Sequence, residues 1–238
     1  LRAASYGMAY ADCRTFDRAR FVAACKLARM LRAVRRPEIG LLMTRAQYAS
    51  GGPELLLVRL LAQRHHLQAL RIAQYLRLPV ATTTSIVRHW CISRIRTAVS
   101  DVGDEALLEA LLPKLRGWTR GGAYADVAVE ALAVGRRGLA ASLVERETIA
   151  SRQVPLLLEM GEHRVALSKA VASADAELVY LLLLHLKTRL PAALFFDLIA
   201  PHPQAQRLLA AYCAECDTAT LKSWYYRINQ PDEAAALG

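Results

Sequence analysis

Apolar residues along this chain recur at the three-to-four spacing of helices, and turn residues interrupt them every ten to fifteen positions. The densest stretch is Arg152 to Lys187. Pro155 is placed to open a short apolar helix that Gly161 closes. A second helix follows through Val165, Leu167, Ala170 and Val171. Ser173-Ala174-Asp175 breaks the pattern, and Asp175 can cap a third helix beginning at Ala176. That third helix carries Leu178, Val179, Tyr180, Leu181, Leu182, Leu183, Leu184 and Leu186. A helix apolar on every side is expected to be covered on every side.

The rest of the chain supplies further helices. Phe16 to Arg36 reads as a helix with an arginine face, ended by Pro37. Thr44 caps a short helix through Tyr48, and Gly51-Gly52-Pro53 is a stop followed by a new start. A helix from His65 reaches Leu78 before Pro79, with Leu67 on its apolar side, and Thr82-Thr83-Thr84 offers caps for the next. Ser100 to Asp104 is a polar break. Glu105 to Leu115 is helical, and Arg116 to Gly122 a loop. Tyr124 to Val134 and Gly138 to Glu145 form a hairpin about Gly135. Pro191 starts a helix through Ile199, Ala205 to Cys216 is the next, and Thr218 to Ile228 closes the ordered part.

No segment alternates as a strand should. About fourteen short helices echo one another: GRRGLAASL from Gly135 is matched by GEHRVALSK from Gly161, 26 residues later. His65 to Leu70 and Asp217 to Leu221 are fainter copies. Hairpins that bury their apolar faces only against neighbours make an all-α fold, an α-solenoid of stacked helical hairpins. Residues 16–228 are assigned to it, with 1–15 as a poorly ordered or fraying N-terminal piece and 229–238 as a frayed C-terminal tail.

Composition narrows the function. Hydrophobic residues make up 54% of 238, enough for a large core. The longest apolar run, Leu178 to Leu184, is far short of the roughly 18 residues that span a bilayer. The first residues lack the apolar stretch of a signal peptide, and a start at Leu1 points to a piece of a longer protein. Five scattered cysteines suit free thiols better than a disulfide framework. Cys213 and Cys216 form a CxxC without the second pair that a structural zinc site needs.

Net charge is +10, but residues 1–100 hold 17 Lys+Arg against 4 Asp+Glu, and residues 101–238 hold 14 against 17. The basic part could meet phosphate on nucleic acid or lipid. A solvated arginine face is the simpler reading, since only 5 of 31 basic residues are lysine. Nucleotide loops and metalloprotease or hydrolase motifs are absent, and His65 and His66 point different ways on a helix. His89, His163 and His202 have no carboxylate or cysteine at ligand spacing, and His185 reads as a core or interface histidine. An enzyme is not expected, nor a cofactor or metal.

An ordered series of blocks resembles the C-terminal region of the vacuolar protein sorting sixteen family. They are RPEIG (36–40), TRAQY (44–48), QYLRLP (74–79), HWC (89–91), YADVA (124–128) with GR (135–136), RQVPLLL (152–158), ALSKA (166–170), LLHLK (183–187), FF (195–196), YC (212–213) and TLKSWY (220–225). The resemblance covers most of residues 20–230. It implies a core subunit of the HOPS and CORVET endolysosomal tethering complexes, whose solenoid follows an N-terminal β-propeller. It also implies a dock for the Sec/Munc-type (SM) subunit that chaperones SNARE assembly. The expected partners are that SM-family subunit and other HOPS/CORVET subunits, with peripheral membrane association through the complex. The expected location is the cytoplasmic face of late endosomes and the vacuole or lysosome.

The dock is expected in about residues 140–228, where aromatic and cationic anchors gather. Its candidate protein-binding residues are Tyr180, His185, Arg207, Tyr212, Lys222, Trp224, Tyr225 and Tyr226, although aromatics here also suit the core between hairpins. A basic helical-repeat nucleic-acid binder is the alternative, disfavoured by irregular spacing. Direct membrane contact through Phe16–Arg36 is a third reading, against which its apolar face serves equally well as packing surface.

Overall fold

A computed structural model describes residues 17–98, 102–118 and 123–227, of which only the backbone is described at Trp118. The expectations for residues 1–15 and 229–238 lie outside the described residues. Every regular element described is a helix: α1 (Arg18–Val34), α2 (Arg45–Ala62), α3 (His66–Tyr75), α4 (Val80–Thr97), α5 (Asp104–Trp118), α6 (Ala123–Ala133), α7 (Arg137–Glu145), α8 (Ala150–Glu159), α9 (His163–Ala172), α10 (Ala176–Arg189), α11 (Ala192–Ile199), α12 (Pro203–Cys216) and α13 (Thr218–Arg227). They fall into two compact units, residues 1–90 and 91–238, with the division inside α4.

In the first unit, Asp17 caps α1 through its carboxylate, which accepts the Ala19 and Arg20 N–H groups at 2.9 and 3.1 Å. Thr44 and Gln47 form a reciprocal capping box at the start of α2. Gly52, at φ 63, kinks α2 at the stop and restart that Gly51-Gly52-Pro53 announces. Met30, Leu31, Val34, Leu56, Leu60, Ala69 and Ala73 form the core of this unit.

The second unit is a solenoid-like stack. Helix α6 packs on α7, α8 on α9, α9 on α10, α10 on α12 and α12 on α13, each meeting its near neighbours in the chain. Two carboxylates tie this stack together by serving helix starts that are not their own. Asp104, opening α5, accepts the Leu139 N–H of α7 at 3.0 Å and pairs with Arg136 at 2.9 Å. Gly138 makes the approach possible, because a Cβ there would lie 2.9 Å from the Asp104 carboxylate. Glu147, buried after α7, accepts the Ala125 N–H of α6 at 3.0 Å and those of Thr148 and Ile149 at 3.0 and 3.2 Å. Each carboxylate thus meets one of the donors that a helix start leaves unpaired.

The internal echo is geometric. Gly135 and Gly161 hold φ of 83 and 82 degrees, and Arg64 adopts 61 degrees. After each, the next N–H reaches back to the carbonyl five residues earlier: Arg136 to Ala131, Glu162 to Leu157 and His65 to Leu60, at 2.8, 2.9 and 2.9 Å. This left-handed helix ending suits glycine, which has no Cβ to strain it. The fifth residue beyond the turn is then Ala69, Ala140 or Ala166, and the ninth is Ala73, Val144 or Ala170. All six are completely buried. The copy expected at Asp217 is not of this kind: Asp217 has φ −154 and caps α13 with its side chain, accepting the Thr220 N–H at 3.1 Å.

Several boundaries differ from the sequence reading. Helix α8 begins at Ala150, so Pro155 lies inside it rather than opening it. Pro155 and Ser151, whose carbonyl loses its donor there, are both exposed, and water can fill the gap. Thr82–Thr84 lie within the first turns of α4 rather than capping it: the helix starts at Val80, and the Thr83 hydroxyl donates to the Val80 carbonyl at 2.8 Å. Helix α5 continues through Arg116 to Trp118. Leu67 is 58% exposed. Nor is α10 covered on every side, since Leu181 is 63% exposed and His185 is exposed beside it.

The turn-counted packing gives a first test. Ala166→Leu forces new methylenes into a filled contact and should lower stability by about 1–3 kcal/mol, read as a fall in thermal midpoint. Val165→Ala, at a half-open neighbouring position, should change it by less than about 0.5 kcal/mol.

Candidate docking surface

The residues expected to bind a partner lie on α10, α12 and α13, and the structure sorts them. Tyr180 of α10 and Tyr212 of α12 meet with ring centroids 6.5 Å apart and planes tilted by 55°. Both are half-buried and form a seam between the two helices. Further along the seam, the Lys187 ammonium pairs with Asp217. Asp217 also accepts the Thr220 hydroxyl at 2.7 Å. The hydrogen bond from Lys187, then those from Thr220, hold the Asp217 carboxyl down to about 2. The Asp217 bond in turn raises the lysine above its ordinary value. One carboxylate therefore links α10 to the start of α13.

Trp224 is a correction. It is 4% exposed, and its ring packs against Phe196 with centroids 5.2 Å apart and planes tilted by 52°, while Phe196 lies 5.6 Å from Phe195. Its large apolar area is spent joining α13 to α11, so it is core rather than contact surface. Tyr226, two positions on, turns the other way and is 65% exposed. Lys222 and Tyr225 are half-buried, while Arg207 and His185 are exposed. His185 is thus not a core histidine; it shares an outward strip of α10 with Leu181, one turn earlier. No described hydrogen bond or ring contact joins His185, Arg207, Lys222, Tyr225 or Tyr226 to the tyrosine pair.

The sequence reading missed Leu181 and Leu194, which are 63% and 58% exposed. Leu181 precedes His185 by four residues, so the two share a face, but which face stays open depends on the neighbours of α10.

Other candidate chemistry is also placed. Cys213 is buried and its thiol is pushed up by burial, while Cys216 is exposed, so the CxxC splits between core and surface. Among the described residues no three or more His, Cys, Asp or Glu side chains gather around a possible metal position. None of the described helices is long and apolar enough to cross a membrane. Just past the arginine-rich α1, Arg35 turns back to donate twice to the Met43 carbonyl, at 3.2 and 2.6 Å.

The fold defines the class, an all-α protein of stacked helical hairpins. Residues 123–238 match the family described as Vps16, C-terminal region. Over the whole chain, the sequence is 41% identical to the Arabidopsis thaliana Protein VACUOLELESS1 and 36% identical to the Dictyostelium discoideum vacuolar protein sorting-associated protein 16 homolog. The Drosophila melanogaster homolog is 27% identical. The chain belongs to the Vps16 family and spans about a quarter of the length of these relatives, 27% in each case.

Two measurements check this surface. Asp217 has a depressed pKa in the folded state, so the stability it contributes is present above the ordinary carboxylate value of 3.8 and is lost as pH falls through about 2. Wild type should therefore lose more stability between pH 5 and 2 than Asp217→Asn, in urea unfolding at each pH. Trp224→Ala should cost about 3–5 kcal/mol, and Tyr226→Ala less than about 0.5 kcal/mol.

Proposed function

We propose that this chain is a non-catalytic scaffold segment of an endolysosomal tethering complex of the HOPS or CORVET type. In this reading about residues 140–228, within its second unit, dock the Sec/Munc-type subunit and bring SNARE chaperoning to the tether. The observation that carries the reading is the similarity along the full chain to Vps16 relatives, one at 41% identity. The stacked hairpins support it, because such stacks offer extended surfaces for other proteins. The whole protein would act at vacuolar or endosomal membranes as a peripheral subunit, in line with relatives named for vacuolar protein sorting.

The contact energy in this reading sits on exposed anchors. Leu181 and His185 on α10, Arg207 on α12 and Tyr226 on α13 are open to a partner. Tyr180, Tyr212, Lys222 and Tyr225 are half-buried and can contribute edges. Basic residues of the first unit need not meet nucleic acid, since Arg35 is already engaged with the backbone.

Pull-down of the SM subunit by the full chain tests the proposal. Leu181→Asp and Tyr226→Asp should each weaken capture about tenfold or more if they lie centrally, with helical circular dichroism unchanged. Absence of capture by the correctly folded wild-type chain would defeat the docking assignment.

A further inference from the structure

The first unit brings together two histidines that the sequence separates by 23 residues. His66 opens α3 and His89 lies in the second half of α4. Nε2 of His66 and Nδ1 of His89 are 3.0 Å apart, with ring centroids at 5.2 Å and planes tilted by 37°. That separation suits one hydrogen bond. Two imidazole nitrogens on one ion with bonds of about 2.0–2.1 Å lie roughly 3.0–3.4 Å apart, so a small turn of each ring, from facing its neighbour to facing a shared point, brings the pair onto one ion.

We propose that His66 and His89 form a two-point chelate for one divalent transition-metal ion of the zinc, nickel or copper(II) class. Neutral imidazoles suit these borderline ions, whereas calcium and magnesium prefer oxygen. The open positions on the ion are filled by water or by a donor from a bound partner, since His89 is exposed. Binding involves no electron transfer. The proton that the two facing nitrogens share moves through water to the far nitrogen of the ring that carried it, and any extra proton on the pair is released.

Zinc(II) chloride titrated into the full chain, reduced and in non-coordinating buffer, tests this by calorimetry and by NMR of the histidine ring protons. One bound ion per chain should shift the His66 and His89 signals together. His66→Gln and His89→Gln should each weaken binding about tenfold or more, with unchanged helicity, and affinity should fall between pH 7 and 5.5 as protons compete. Wild-type affinity in both variants would overturn the site, as would zinc shifts confined to cysteine neighbours or no binding by the wild-type chain. Should a glutamine variant fold poorly, the ring-proton shifts of the wild type still decide. Capture of the SM subunit is a separate measurement, so failure here leaves the docking reading standing.

Discussion

The architecture depends on how closely one helix can lie against the next. Helix axes approach to about 8–10 Å according to the side chains between them. After the turns at Arg64, Gly135 and Gly161, the residues at the fifth and ninth positions are fully buried, and five of those six are alanine. The turn sets the phase of the helix that follows, and the phase decides which residues face the neighbour. A larger residue at the fifth position would push the pair apart. Glycine at the turn and alanine five residues later therefore express one constraint.

That constraint explains what the sequence revealed and what it concealed. Turns were legible because glycine, proline and capping residues act locally, as Thr44, Asp175 and Gly161 do. The internal repeat was legible because turn and small residues keep their spacing. Exposure around α10 was not. A run of leucines has the same composition whether a neighbour covers one side or all sides, and neighbours pack on α10 without reaching Leu181. Trp224 and Tyr226 were equally ambiguous, because the rotation of α13 decides which ring enters the core. The His66–His89 pairing depends on how α3 meets α4, which no local pattern encodes.

Arginine usage has a structural component that net charge hides. Arg96 pairs with Glu130 through two bonds, at 2.5 and 2.9 Å. Arg136 bridges the Val102 carbonyl and Asp104, and Arg227 reaches Asp197. A planar guanidinium can hold two acceptors at once, which an ammonium does less readily. The exposed pairs add little stability, but they fix helix ends against one another. Part of the basic excess is thus engaged within the fold, and a +13 balance over residues 1–100 is not by itself a phosphate-binding surface.

The same division between inside and outside governs how such a stack can bind. A side chain already committed to the core gives nothing to a partner, however aromatic it is. Trp224 contacts Phe196 and would have to leave that cluster to bind, at a cost comparable to truncating it. Leu181 and Tyr226 face water in the free chain, so covering them gains about 25 cal/mol for each Å² of apolar surface without disturbing the hairpins. The half-buried tyrosine seam lies between these cases. Tyr180 and Tyr212 keep their mutual contact and can present ring edges. A partner of this unit would therefore draw on residues that the turn-set phase leaves outward, because the helix rotation that defines the core also decides what is left outside it.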